Sequence, residues 1–186
     1  MSSLTGARIC PNVIDEDLRP RLLLTTSRID PADFRAAMRR FAASVCLVTT
    51  DGPAGRRGVT VTSSCSVSDD PPTLLVCLNT SSPLNQRFEE NGCFALNVLG
   101  HHDEKLARAF AGEGKLEPEE RFALGDWETH ESGAPILKSA PVAFDCRLID
   151  TKMVATHRII IGEVVSVSSG ALSPSLVYLD RAWRAL

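Results

Sequence analysis

The stretch of this sequence richest in chemistry is Thr60-Val61-Thr62-Ser63-Ser64-Cys65-Ser66-Val67-Ser68. Its residue types favour a strand, yet polar groups fall on both faces, which ordinary buried strands avoid. Side chains alternate along a strand, so Thr60, Thr62, Ser64, Ser66 and Ser68 share one face, and Val61, Ser63, Cys65 and Val67 the other. A row of hydroxyls offers donors and acceptors to a bound molecule, or simply faces water on an exposed edge strand. Downstream, Asn79-Thr80-Ser81-Ser82-Pro83 ends the next strand and opens a helix, with Ser82 at the cap and Pro83 in the first turn. The unpaired N–H groups of a helix start, with a hydroxyl from Ser81 or Ser82, suit a phosphate. The two segments together describe a cradle for a flat, phosphorylated, hydrogen-bonding ligand.

A flavin answers that description: its ring edge needs donors and acceptors, and its phosphate needs donors. Hydride passes between stacked rings, so such a site requires orientation and an open ring face rather than a nucleophile or a metal. Other chemistries fail on inspection. Phe110-Ala111-Gly112-Glu113-Gly114-Lys115 imitates a phosphate loop, but Leu116 stands where Ser or Thr must meet Mg²⁺, and Ala109 where the first Gly belongs. As a dinucleotide fingerprint it has Glu117 in place of the third Gly and no preceding strand. There is no G-x-S-x-G elbow, and His101, His102, His130 and His157 form no H-E-x-x-H pair. His101-His102 reads as a solvated loop pair.

The elements that must position the cradle are mainly strands. Asp30 caps a helix with Pro31 in its first turn, and Phe34, Ala37, Met38 and Phe41 follow at helical spacing, so this helix is expected to lay an apolar face on a core. Three consecutive antiparallel strands are expected next, Val45–Thr50, Gly58–Ser68 and Thr73–Asn79, because the intervals are too short for helical crossovers. A short helix runs from Ser82 through Glu90 to the stop at Asn91-Gly92, a strand covers Cys93–Leu99, and helical turns cover Asp103–Phe110 and the acidic stretch Glu117–Phe122. Strands return over Val142–Thr151, Thr156–Ser168 and Leu176–Leu179. Seven or more strands with two or three helices favour a closed or nearly closed β-barrel, since closure removes exposed edges.

The 186 residues, 44% hydrophobic and 23% charged, suffice for one globular domain over residues 30–186, preceded by an N-terminal arm over residues 1–29 that Pro11 and Pro20 keep from being helical. A net charge of −3, with scattered arginines, gives no attraction for nucleic acid or anionic lipid. No apolar run is long enough to span a bilayer, and Leu22–Leu24 is no signal-peptide core, so a cytoplasmic protein is expected. The six cysteines are far apart, without a C-x-x-C pair or a histidine at ligand spacing, and read as reduced, mostly buried thiols.

From Phe34 to Leu186 the order and spacing of Phe34-Arg35-Ala36-Ala37-Met38, Val48-Thr49-Thr50, Gly58-Val59-Thr60, Ser66-Val67-Ser68, Pro72, Phe94-Ala95-Leu96-Asn97-Val98-Leu99, Phe110-Ala111-Gly112, Thr156-His157 and Ile161-Gly162-Glu163-Val164 resemble the flavin reductase-like family. That family includes the small reductase components of two-component flavin monooxygenases. Thr50–Arg56, Asp70–Asn79 and Phe144–Arg147 are particularly similar to the flavin reductase of pyrimidine catabolism and to a corrin-ring cobalt reductase, without choosing between them.

The resemblance implies a split β-barrel homodimer holding FMN or FAD near the subunit interface, reduced by NADH or NADPH, with the reduced flavin handed to an oxygenase. Its alternatives are a resident flavin that reduces a substrate such as a cobalt corrinoid, and a non-catalytic flavin-binding module. It implies that Thr60, Val61, Thr62, Ser63 and Ser64 border the isoalloxazine and that Ser66, Val67 and Ser68 lie near the ribityl chain and phosphate. Cys77, Leu78, Asn79, Ser81, Ser82 and Asn85 complete that side. His157 is placed near the nicotinamide, and Trp183 either beside the flavin or as a plug for the barrel end. Two departures stand out: a longer arm before Asp30, and Ser81 where some relatives carry a basic residue, leaving Arg56 or Arg57 to supply the charge.

Overall fold

The computed structural model describes residues 29–186, so all but the last residue of the expected N-terminal arm lies outside the described residues. Asp30 Oδ1 accepts the Ala32 N–H at 2.6 Å and starts α1 (Pro31–Met38), as the cap signal predicts. The expectation that α1 lays an apolar face on the core is corrected. None of its residues is buried, and Phe34, Met38 and the following Phe41 are 59%, 46% and 67% exposed. Helical spacing sets which side chains share a stripe, not what covers the stripe.

The chain continues through β1 (Ala43–Ser44), β2 (Cys46–Thr50), β3 (Arg57–Val61), β4 (Ser64–Asp69) and β5 (Pro72–Asn79). A 3₁₀ turn over Pro83–Gln86 leads into α2 (Arg87–Asn91), which stops at Gly92 with φ of 68°. Then come β6 (Cys93–Val98), a 3₁₀ turn at His101–Asp103, α3 (Glu104–Phe110) and α4 (Pro118–Phe122). The small hairpin β7 (Trp127–Thr129) and β8 (Pro135–Leu137) precedes two long strands, β9 (Val142–Val154) and β10 (His157–Ser169), and a final pair, β11 (Leu176–Leu179) and β12 (Ala182–Ala185).

Seven strands form one antiparallel sheet in the order β3-β2-β6-β9-β10-β5-β4, flanked by the β1-β11-β12 sheet and the β7-β8 hairpin. The expected single strand over Gly58–Ser68 is in fact two. β3 pairs with β2 and β4 pairs with β5, so the expected run of three adjacent antiparallel strands is a pair of hairpins parted at Thr62-Ser63. Residue types at the break are as strand-like as their neighbours, and only the long-range pairing reveals it. The barrel is therefore open in its hydrogen bonding. Its two edges, β3 and β4, are consecutive in the chain, and beside the break the Cys77 N–H reaches the Ser63 carbonyl at 2.9 Å.

Side chains alternate between the barrel interior and its outer face. Val48, Val61, Leu74, Val76, Phe94, Leu96 and Ile160 fill the barrel interior, and Phe88 of α2 closes one end. On the outside, Val45 and Leu47 meet Leu106 and Phe110 of α3, Phe122 of α4 and Leu137. β2 is thus buried on both faces, as its apolar Cys46-Leu47-Val48 start reflects, and its closing Thr49 and Thr50 satisfy their buried hydroxyls on the Pro135 and Cys93 carbonyls. On the other side of the barrel, Leu75 and Cys77 pair in register with Ile161 and Ile159, and these outward side chains are only half-buried. Among the described residues no helix is long and apolar enough to cross a membrane.

Gly162 sits at a register shift between β10 and β9, on the interior face. A Cβ there would lie 2.5 Å from Phe94 Cε1 and 2.9 Å from Cys146 Cβ. Gly162→Ala is expected to destabilise the fold by about 1–3 kcal/mol through overpacking, read as a lower denaturant midpoint at unchanged slope.

Candidate functional site

The break between β3 and β4 divides the predicted site residues into two groups. On the β4 side, the pairings Ser64↔Val76 and Ser66↔Leu74 put the two hydroxyls on the interior face, because Val76 and Leu74 belong to the barrel core. Thr62, Ser64, Ser66 and Ser68 line one cavity of about 570 Å³ at the barrel mouth, with Phe41 at its rim and Leu96 and Phe144 deeper in. Ser64 Oγ lies 3.9 Å from Cys46 Sγ, and burial pushes the Cys46 thiol up to about 11 despite that contact.

The predicted hydroxyl face is not continuous. Thr60 belongs to β3 and turns outward, donating to the Ala107 carbonyl of α3 at 2.7 Å, so its hydroxyl is spent on holding that helix. Val61 is a core residue, while Val67 is looped out at a bulge and is 53% exposed. Ser63 is exposed and points away from Ser64, and its carbonyl is tied to Cys77. Thr62 lies in no strand, so its backbone groups stand outside the sheet's ladders.

The second group gathers where β5 ends. The Ser81 N–H donates to Asn79 Oδ1 at 2.8 Å, and Asn85 Nδ2 donates to the Asn79 carbonyl at 2.8 Å, which closes the turn into Pro83–Gln86. Ser82 occupies the cap position but makes no side-chain capping bond. Its Oγ instead accepts from Arg57 Nη2 at 3.3 Å, a charged donor preferred over a backbone N–H. Arg57 Nε donates to Asn85 Oδ1 at 3.0 Å. Leu78 is buried in the core and contributes no polar group, while Cys77 faces outward.

Strand β10 brings His157 beside this turn. His157 pairs with Asn79, and its Nδ1 lies 3.0 Å from Thr156 Oγ1. Thr80, which the sequence did not single out, donates through both its N–H and its Oγ1 to the Thr156 carbonyl, each at 3.0 Å. A cleft of about 80 Å³ opens between Thr80, Ser82, Asn85 and Arg158, and Arg158 is ion-paired with Glu89. Of the two arginines weighed for the charge, Arg56 is committed to Asp51 at 2.8 Å and lies 5.1 Å over the Phe122 ring, whereas Arg57 reaches Ser82. Nothing in the sequence distinguishes them. Strand alternation does, once Val59 and Val61 are known to face inward with Arg57.

Trp183 lies elsewhere. It packs edge-on against Tyr178 at 5.6 Å and under the Arg108 guanidinium at 5.0 Å, against the outer core beneath α3, and it does not line the mouth formed by Ser64 and Ser66. Among the described residues no group of three or more His, Cys, Asp or Glu side chains could hold a metal ion.

Residues 38–186 match the model of the flavin reductase like domain. An FMN reductase (NADH) RutF of Ancylobacter novellus is 46% identical over 158 residues, covering 85% of this chain and 86% of that protein. Among solved structures, BorF, the flavin reductase component of a bacterial two-component tryptophan halogenase, superposes with a TM-score of 0.77 at 27% identity, over 84% of this chain and 98% of its own. The NADH:FAD oxidoreductase SgcE6 of Streptomyces globisporus C-1027, solved with NAD and FAD fragments, gives 0.76 at 29% identity, over 87% and 97%.

The thiols around the mouth should react unequally. With its pKa raised to about 11, Cys46 is ionised in about one molecule in a thousand at pH 8, and burial also raises the Cys146 thiol. Alkylation of the native protein at pH 8 followed by peptide mass mapping is expected to label exposed Cys65 and to leave Cys46 and Cys146 unmodified until denaturant is added.

Proposed function

This chain belongs to the flavin reductase-like family, and we propose that it transfers hydride from NADH to FMN, with the flavin laid along the open seam between β3 and β4. The observation that carries this placement is the seam itself, where Thr62 stands outside every strand, hydroxyls fill one side, and Arg57 waits at the end beside Ser82. A bound flavin supplies the redox chemistry, accepting hydride from a stacked nicotinamide and yielding electrons to an acceptor. The protein's own residues bind and orient. Thr62 and Ser64 offer hydroxyl groups to the ring edge, and Thr62 adds backbone groups that no strand pairing uses. Ser81, Ser82 and Asn85 frame the phosphate end. His157, held by Thr156 next to Asn79, presents its imidazole to the nicotinamide carboxamide.

We further infer a homodimer. Helices α3 and α4 cover the β2–β3 side, leaving Leu75, Cys77, Ile159 and Ile161 half-exposed in register on the opposite side, a surface suited to a second copy. An open seam also suits flavin that exchanges and passes to an oxygenase, as the role of BorF as a reductase component suggests for its own system. Free Cys46, Cys65, Cys77, Cys93 and Cys146 support operation in a reducing compartment such as the cytoplasm.

Purified protein is expected to oxidise NADH steadily only when FMN or FAD is added. No flavin binding and no such oxidation with either nicotinamide nucleotide would overturn the assignment, and flavin that stays bound through turnover would move it toward a resident-flavin reductase. His157→Ala should raise the KM for NADH by about 10-fold, the scale of one lost hydrogen bond of 1–1.5 kcal/mol, while leaving the flavin Kd within about twofold. Ile161→Glu should shift the sedimenting species from dimer to monomer.

A further inference from the structure

Arg57 is a half-buried cation with no anion. It pairs with Thr50 at the end of β3 and shares the inward face with Val59 and Val61. Its two side-chain bonds go to neutral partners, Asn85 Oδ1 at 3.0 Å and Ser82 Oγ at 3.3 Å. A guanidinium carries five N–H donors, so three of them have no protein partner among the described residues. The charges that perturb it are of its own sign. Burial, then Arg121 and Arg87, hold its pKa below the usual arginine value, although it stays protonated at neutral pH.

Those two neighbours are themselves fixed by backbone carbonyls rather than by acids. Arg87 Nη1 donates to the Arg56 carbonyl at 3.0 Å, and Arg121 Nε to the Leu116 carbonyl at 2.8 Å. Among the described residues none of the three has a carboxylate within 4.0 Å, because Asp51 is paired with Arg56 and Glu89 with Arg158. Gathering three cations and partly desolvating one of them is unfavourable unless an anion joins them. A planar fork with free donors matches the geometry of a phosphate.

We propose that Arg57, backed by Arg87 and Arg121, is the counter-charge by which this protein selects a flavin bearing a phosphate over the unphosphorylated ring system, with Ser82 and Asn85 holding the guanidinium in position. This rests on the flavin reading above and adds the determinant of ligand class. The cation enters from β3, across the seam from the Ser81-Ser82 turn it serves. Arg158 lines the cleft that Ser82 and Asn85 also line but is already neutralised by Glu89, so its removal is the decisive comparison.

Flavin fluorescence titrations with FMN and with riboflavin provide the test. The unaltered protein should bind FMN about 10- to 100-fold tighter than riboflavin, the range of a charge-assisted contact, and only the FMN affinity should weaken with added salt. Arg57→Gln should bring the two affinities to within about threefold by weakening FMN alone, Arg57→Lys should recover part of the difference, and Arg158→Gln should preserve it. Retained riboflavin binding certifies that the variant is folded. If Arg57→Gln fails to fold, equal and salt-independent affinities in the unaltered protein still overturn the proposal. An unchanged ratio in Arg57→Gln, or a ratio abolished by Arg158→Gln instead, also overturns it. Failure to bind either flavin would sink the reductase reading itself.

Discussion

Strands β3 and β4 lie at opposite edges of a seven-stranded sheet, yet only Thr62 and Ser63 join them. Neighbouring strands sit about 4.8 Å apart, so in a flat sheet the edges would be separated by about 29 Å. Val61 to Ser64 is three residue steps, which span at most about 11 Å. The sheet must curl until its edges meet. That covalent tether encloses Phe94, Val48 and Ile160, sets the end that Phe88 closes, and leaves a line where two strands are adjacent without being paired.

The seam then organises polarity at the mouth of a barrel whose middle is filled with Val, Leu and Phe. Inward-facing positions of β4 carry hydroxyls because they look into an open mouth rather than into the packed middle. Inward-facing positions of β3 run from Val61 through Val59 to Arg57, from the core to the rim. The rim cation meets the Ser82 turn from across the gap, so one side chain bridges two elements that no strand pairing connects. On the outer surface Thr60 anchors α3 to β3, which keeps the helical layer on one side of the seam.

Local signals in the sequence were largely sufficient for single elements. The Asp30 cap, the Gly92 and Gly112 stops and the paired long strands β9 and β10 all arise from interactions within a few residues or from sustained β-branched runs. What escaped depends on distant partners. The break at Thr62-Ser63 exists because β2 and β5 claim the two halves of one strand-like run, and neither claim is written in those residues. The exposure of Phe34 and Met38, the outward turn of Thr60 and the choice of Arg57 over Arg56 are likewise decided by what packs alongside. The short β7–β8 hairpin, pinned where Thr49 Oγ1 donates to the Pro135 carbonyl at 2.5 Å, has too few residues to show a period.

Unpaired strand edges normally invite other chains to dock on them and grow into aggregates. Here the tether makes each edge the other's shield, to which the Val67 bulge of β4 and the α3 helix on β3 add their own cover. The shortness of Thr62-Ser63 therefore keeps each border beside the other and away from foreign strands. A chain reopened at that point, with new termini in place of the tether, would keep every paired strand and still present two sticky borders to its neighbours.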